Sequence, residues 1–373
     1  MKNNTLHIIA LNIPYPTNYG GAIDIFYKVK ALSELGIKIH LHCFEYGRDK
    51  AEILNTLCET VVYYPRKMYW KNLLSRTPFI VKSRTSEKLL QNLISVEAPI
   101  LFEGLHCCYY LNHPKLKDRK QFVRAHNIES DYYKLLAKSD SNLVNKLYLF
   151  TEYLKIRSFE KHINSATGVF AISNKDAIQL SKNCTSHLIR AFHSESELVC
   201  KPGIGSYAIY HGNLSVAENE NAALFLCKKV FKHLIYDLVI VGSKPSNKLR
   251  KEVLKYSNIR LVENPEHSIL ETMIQDAQIQ VLPTEQDTGI KLKLLKSLYH
   301  GRHCVVNYKM IAGTGLEDTC NIVESPKEWI SKIKELKSIP FNANQISKRA
   351  QLLEPYNCKL EAKKMEAIIY PQE

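Results

Sequence analysis

Two groups of residues have the types and spacing to handle a phosphorylated ligand. The run from Thr288 to Gly301 holds the first. Gly289 is placed to open a helix, with Lys291 and Lys293 close behind it. The N-terminal turn of a helix prefers acids, because its free N–H groups carry partial positive charge. A lysine there makes sense where it faces a diphosphate; a surface lysine is the plain alternative. Gly20 and Gly21 open an earlier helix and offer a second anion seat through close backbone approach and free amides. Their spacing is not that of a dinucleotide fingerprint. Gly212 and Asn213 follow a later strand, and Glu263 follows another with a carboxylate able to face a base. The second group is Glu103, His106, Arg124, His126 and Asn127, at the ends of two strands. A carboxylate and two imidazoles can orient a hydroxyl or move its proton. Glu103, His106 and His126 are the catalytic candidates, and Arg124 and Asn127 are candidates for contacts to a second substrate. The competing readings are structural: a strand-end histidine as a simple hydrogen-bonder, and Arg124 paired with Glu129.

The elements that must position these groups follow from hydrophobic period and turn residues. Apolar runs at 6–11, 37–44, 61–64, 99–103, 121–125, 168–172 and 186–189 read as strands. Helical patterns lie between them, including 22–35, stopped by Gly36, and 143–163. The pattern restarts with strands at 207–210, 237–242, 259–262, 279–282 and 304–306 and a helix at 219–234. A helical tail at 346–370 is broken at Pro355. Strands alternating with helices predict parallel sheets covered on both faces, here two α/β units in tandem. Ligands bind outside the carboxyl ends of such sheets, so the expected site is the cleft where two sets of strand ends meet.

Charge and cysteine usage narrow the class. Net charge is +14, yet no helix-turn-helix, zinc-finger or RNP signature is present, which disfavours nucleic acid. Residues 60–86 hold Arg66, Lys67, Lys71, Arg76, Lys82 and Arg84 and no acid, interleaved with aromatics that include Tyr69 and Trp70. That mixture suits an anionic headgroup layer, with Arg66, Lys67, Tyr69, Trp70 and Lys71 as the contact residues. No apolar run is long enough to span a bilayer, and the first residues do not read as a signal peptide, so a cytoplasmic, peripherally membrane-bound protein is expected. The ten cysteines form no C-x-x-C framework, which predicts reduced thiols and no metal site.

Several of these stretches carry a family likeness. Pro16 to Gly21, the basic helix ending in His300 and Gly301 ahead of a valine-rich strand, and the run Arg124-Ala125-His126-Asn127-Ile128-Glu129 resemble glycosyltransferase family 4 of the GT-B superfamily. His211-Gly212-Asn213-Leu214 with Asn219 is similar to the start of the second domain in one branch. The resemblance spans essentially the whole chain. It implies two Rossmann-like doubly wound domains facing across a cleft: 1–198 for the acceptor, 199–355 for a nucleotide sugar, and a tail, 356–373, packing back on the N-terminal domain. It also implies retaining transfer of a hexose-type sugar from a nucleoside-diphosphate donor to a glycan or lipid-linked acceptor in bacterial surface-polysaccharide or glycan assembly, with no metal and no separate cofactor. On that reading the donor-side residues are Gly20, Gly21, Gly212, Asn213, Glu263, Gly289, Lys291 and Lys293. The sequence departs from the family at Thr288 and Lys296, where many members carry a pair of glutamates. Asn213 and Asn219 also stand where an arginine–lysine pair is common. These departures leave open a non-catalytic sugar-nucleotide binder, a partner subunit, or a sugar-nucleotide epimerase.

Overall fold

The computed structural model describes residues 4–139, 142–286 and 291–371. The chain divides into two compact units, Met1–Ser194 with Cys358–Glu373, and Glu195–Asn357. The first unit holds a seven-stranded parallel sheet: β1 (Thr5–Ala10), β2 (Lys38–Glu45), β3 (Thr60–Pro65), β4 (Ile100–Glu103), β5 (Gln121–Ala125), β6 (Gly168–Ala171) and β7 (Ser186–Leu188). Its order is β3-β2-β1-β4-β5-β6-β7. Its helices are α1 (Gly20–Glu34), α2 (Phe79–Lys82), α3 (Glu87–Ser95), α4 (Glu129–Ser139), α5 (Leu143–Phe159) and α6 (Asn174–Leu180), joined by Cys358–Ile369 from the far end of the chain.

Alternation along the strands sorts the core into two layers. Leu6, Ile8 and Ala10 of β1, Leu101 of β4 and Phe122 of β5 pack with Ile25, Val29 and Leu32 of α1 and with Ala362, Met365 and Ile369. Their neighbours Ile9, Phe102 and Val123 turn the other way, onto Leu89 and Leu93 of α3. Each such buried side chain contributes roughly 1.5–3 kcal/mol. Two histidines sit inside this sheet and form a chain of hydrogen bonds. His7 lies 3.0 Å from the Val96 carbonyl and 2.9 Å from His42, and His42 lies 2.8 Å from the Tyr64 hydroxyl. A carbonyl only accepts, so His7 Nε2–H must donate to Val96, His42 Nε2–H to His7, and Tyr64 O–H to His42.

The second unit repeats the plan with six parallel strands in the order β10-β9-β8-β11-β12-β13. These are β8 (Ala208–Asn213), β9 (Leu238–Ser243), β10 (Ile259–Glu263), β11 (Ile279–Leu282), β12 (His303–Val306) and β13 (Asn321–Ile322). The helices are α7 (Ala217–Phe225), α8 (Asn247–Val253), α9 (His267–Asp276), α10 (Leu292–His300), α11 (Tyr308–Ile311), α12 (Pro326–Leu336) and α13 (Ala343–Leu353), and the chain's last helix is α14 (Cys358–Ile369). Ser325 with Glu328, and Asn342 with Gln345, form reciprocal caps that fix where α12 and α13 begin.

Two elements differ from the sequence reading. The helix expected over 219–234 is α-helical only to Phe225 and then widens into a π turn at Leu226–Val230. The extra residue keeps Leu226, Cys227, Val230 and Phe231 all buried. The tail agrees with the sequence reading, splitting into α13 and α14 around Pro355, which has no N–H for the helix ladder. β13, two residues long, carries no legible period.

Candidate active site

In each sheet the order reverses at one point, between β1 and β4 in the first unit and between β8 and β11 in the second. Strand ends at such points open a crevice, and each holds a polar cluster.

In the first unit α1 leaves the end of β1 and carries Asp24 and Lys28 on successive turns, inside its apolar stripe. Lys28 Nζ stands 2.9 Å from Asp24 Oδ2 and 2.8 Å from Glu103 Oε1, at the end of β4. Arg124, near the end of β5, grips Asp24 through Nη2 at 2.8 Å and Nε at 3.2 Å. Its guanidinium also donates to the carbonyls of Ile189, at 2.5 Å, and Arg190, at 3.0 Å. His126 Nε2 lies 3.1 Å from Glu103 Oε2, and its Nδ1 is 3.7 Å from Asp24 Oδ2. Asp24, Lys28, Glu103 and Arg124 are buried, whereas the His126 side chain keeps 12% of its surface in contact with solvent. Burial works against the charge of both acids. Arg124 and Lys28 hold the Asp24 carboxyl below its ordinary range all the same, and Lys28 and the His126 hydrogen bond do so for Glu103. The result is two carboxylates matched by two fixed cations, with one imidazole facing outward.

Ligand-capable atoms of Asp24, Glu103 and His126 lie within 4.8 Å of one another. The ammonium and guanidinium already occupy the carboxylate oxygens, so a further cation fits this cluster poorly.

Behind this layer, Gly104 turns the chain with φ of 76°, and a Cβ there would press on both His106, at 3.2 Å, and His126, at 3.6 Å. The turn therefore brings Glu103, His106 and His126 together. His106 Nδ1 is 3.9 Å from Glu129, and burial, with Arg84 and His126 nearby, pushes its pKa well below the usual value. Burial and the neighbouring Glu160 push the Glu129 carboxyl up to about 8. His106 is therefore a neutral ring beside a protonated acid at neutral pH.

The second unit's switch point is lined differently. Gly212 and Gly242 lie side by side at the ends of β8 and β9, where a Cβ on Gly242 would fall 2.0 Å from the Gly212 carbonyl. Glycine at 242 is what lets the two strand ends come this close, and the Asn219 side chain packs 3.3 Å from where a Gly212 Cβ would lie. Lys293 of α10 donates to Asn219 Oδ1 at 2.8 Å and lies over the Tyr210 ring at 5.3 Å. Burial pulls its pKa down to about 8, opposed by Glu218 and assisted by Lys291. Asn213 Oδ1 accepts from Ser215 and Ser243. His211 meets Ser297 at 2.8 Å, and burial and Lys296 lower its pKa to about 3. A second cluster joins α9 and α10: Lys296 stands 3.0 Å from Glu271, 3.6 Å from Glu195 and 3.1 Å from His267, and His300 bonds Glu195.

Several sequence expectations change. Arg124 does not pair with Glu129 and is not a substrate contact: its buried guanidinium is committed to Asp24 and to the main-chain carbonyls of Ile189 and Arg190. Glu263 is forked by Arg250 at 2.7 Å on both oxygens, out on the surface, so its carboxylate is already taken. α10 starts at Leu292 with Lys291 as its extended N-cap residue, while Gly289 and Thr288 lie outside the described residues. Lys296, where the family resemblance places a glutamate, is paired with Glu271 and Glu195. α1 begins at Gly20, one turn of free amides opening at Gly20 and Gly21 with no acid beside them. Asn127 is half-buried next to His126. In the basic run, Tyr69 and Trp70 are exposed, and Lys67 and Lys71 flank them. Arg66 instead stacks on Tyr46 and bonds Ser83, and Arg84 is buried on the carbonyls of Leu11 and Ile80. Asp24 and Lys28 were absent from the sequence reading. Their signal was an acid and a base four apart beside Ile25 and Val29, on the face that must be buried.

No family model matches the sequence. A protein of Klebsiella pneumoniae, described as an uncharacterized 44.6 kDa protein in the cps region, is 24% identical over 367 residues, covering 90% of this chain and 93% of its own. Among solved structures, a glycosyltransferase from Rickettsia africae ESF-5 matches with a TM-score of 0.64 and 13% identity, over 100% of both chains. The fold is GT-B. An alpha,alpha-trehalose-phosphate synthase (UDP-forming) from Burkholderia xenovorans gives 0.63 at 9% identity, over 98% of this chain and 100% of its own. A UDP-glucosyltransferase from Polygonum tinctorium gives 0.59 at 11% identity, over 99% of each. At these identities the likeness to the GT-B enzymes is one of fold.

Proposed function

We propose that the chain is a glycosyltransferase of surface-polysaccharide or glycan assembly, moving a hexose-type sugar from a nucleoside-diphosphate donor to a glycan or lipid-linked acceptor. The observation that carries this reading is the GT-B fold over essentially the full chain, with a polar cluster at each sheet's switch point. The relative from a cps region supports polysaccharide as the product class. Two of the structural neighbours are named for UDP or UDP-sugars, so uridine donors are the first to test.

In this reading the second unit takes the donor. The strand end at Gly212 and Asn213 faces it, and Lys293, with Lys291 at the start of α10, meets the developing charge of the leaving diphosphate. In the first unit His126 orients the acceptor hydroxyl, and Glu103, held by Lys28, keeps the imidazole aligned. Gly20 and Gly21 offer amides to a phosphate or to the sugar. Transfer proceeds with retention, the leaving phosphate receiving the hydroxyl proton, and needs no metal because fixed cations supply the positive charge. The protein works at the cytoplasmic face of a membrane, and Tyr69, Trp70 and Lys71 contribute to anionic-surface contact.

The test is a thermal-shift screen against nucleoside diphosphates and sugar nucleotides, followed by product analysis with membrane extract as acceptor. A ligand at 100 times its Kd adds about 2.7 kcal/mol. If no nucleotide stabilises the protein, the reading fails. The engagement of Lys296 by Glu271 and Glu195 favours one alternative, a donor-binding protein that does not transfer. Binding without turnover would select it.

A further inference from the structure

α5 displays an apolar stripe on its outer face. Leu143, Leu147, Phe150 and Leu154 recur at intervals of four, three and four residues, and between about half and four-fifths of each side chain's surface is exposed. Apolar residues at that spacing form a continuous seam that normally covers another surface. With α4 they line a groove of about 620 Å³. Ala137 and Tyr153 complete the apolar lining, and the charged groups are cations: Lys134 and Lys138 from α4, Lys146 and Arg157 from α5. Among the described residues no acid lines the groove, and none of these four cations is in an ion pair.

The far side of α5 is anchored, so the stripe is not a misplaced core. Glu152, buried, accepts from the Phe79 amide at 2.7 Å, and Lys155 donates to the Leu73 carbonyl at 2.7 Å. The same bonds tie α5 to the segment bearing Tyr69, Trp70 and Leu74, which are 65%, 67% and 79% exposed.

We infer that the α4–α5 face docks on an anionic lipid bilayer, with Leu147 and Phe150 entering the interface and the four cations meeting headgroups. Charge decides the occupant. A second copy of the chain would set four cations against four cations, whereas an anionic leaflet is complementary and accepts the apolar stripe as well. The inference deepens the membrane attachment proposed above and rests on it, but moves the main contact from the basic run at Arg66–Lys71 to a helical face.

The test is co-sedimentation of the full chain with vesicles of phosphatidylglycerol and phosphatidylcholine in equal parts, against pure phosphatidylcholine. Wild type should bind the mixed vesicles and release at high salt. Leu147→Glu with Phe150→Glu should lower affinity by more than about 100-fold. Lys138→Gln with Lys146→Gln, which leaves the apolar stripe intact, should lower it about 30-fold. All four positions are exposed, and an unchanged melting temperature confirms folding. Wild-type binding untouched by both pairs, but lost on Arg66→Glu, Lys67→Glu and Lys71→Glu, overturns the groove and keeps the membrane reading. No wild-type binding to either vesicle overturns both. A lipid-free dimer that dissociates on Leu147→Glu with Phe150→Glu assigns the face to a second copy and overturns the inference. The assay needs no donor, so none of these outcomes bears on sugar transfer.

Discussion

Replacing Lys28 with methionine probes the first unit's cluster most directly. The ammonium lies 2.9 Å from Asp24 and 2.8 Å from Glu103, and all three groups are out of water. Arg124 stays with Asp24, so Glu103 is the acid that loses its fixed cation and keeps only the His126 hydrogen bond. Removing one partner of a buried pair costs roughly 3–5 kcal/mol. The pH dependence separates this from lost packing. In the wild type burial opposes the Glu103 charge, but Lys28 and His126 hold its pKa below 4.5, so its contribution is complete above 4.5 and lost as pH falls. Without Lys28 burial dominates and the pKa rises above 4.5. Stability is then lost as pH rises, by up to about 1.4 kcal/mol per unit. The gap between the two proteins should widen by about 2–3 kcal/mol between about pH 5 and pH 7. Adding Glu103→Gln removes the carboxylate charge and should recover most of it. The assay is hydrogen exchange of β4 and β5 amides in urea, which reads local opening in a two-unit chain, with β8 and β11 as the reference. A loss below about 1 kcal/mol that does not change with pH would refute the ion-pair account.

Three other perturbations follow from the same reasoning. Burial lowers the His7 pKa from 6.5 to about 4, so the first unit loses stability as pH falls through that window, by about 3 kcal/mol from this residue; His7→Gln should flatten the acid side of the melting profile. Lys293 in the free protein titrates at about 8, so diphosphate affinity should fall up to about tenfold per pH unit above 8, and Lys293→Met should remove both the affinity and its pH dependence in calorimetry. The buried Glu129 titrates at about 8, so it costs stability as pH rises from 4.5 to 8; Glu129→Gln should match wild type at pH 5 and exceed it near pH 8 in thermal melts, and a large loss at both would show the acid to be ionised in the fold.

The strands were legible because buried parallel strands leave unbroken apolar runs, such as Ile100–Phe102 and Leu238–Val241, bounded by turn residues. The helix ends were less so. Nothing in the local sequence says that α10 starts after Lys291, or that α7 must widen to keep Phe231 inward. The first cluster was half visible. Glu103 and His126 announced themselves as polar groups at strand ends. Arg124 was visible too, but the partner that buries it, Asp24, lies 100 residues away, and a pairing at that separation leaves no local pattern. Lys28 was hidden for the same reason: a lysine on a helix reads as solvated until the acid it meets from another strand is known.

The first unit is discontinuous, and this bears on how the protein is made. Its core includes Ala362, Met365 and Ile369 of α14, and Tyr370 reaches back to the Thr5 carbonyl. Glu361 accepts from the Arg190 amide, far earlier in the chain. During synthesis the second unit is contiguous and can close as it emerges, whereas the first waits with one wall missing until residues 195–357 have been added. At ribosomal rates that wait is on the order of ten to thirty seconds. The nascent chain therefore holds open, through that interval, the part of the β1–α1 core that α14 covers, and the last unit to finish folding is the one that begins first.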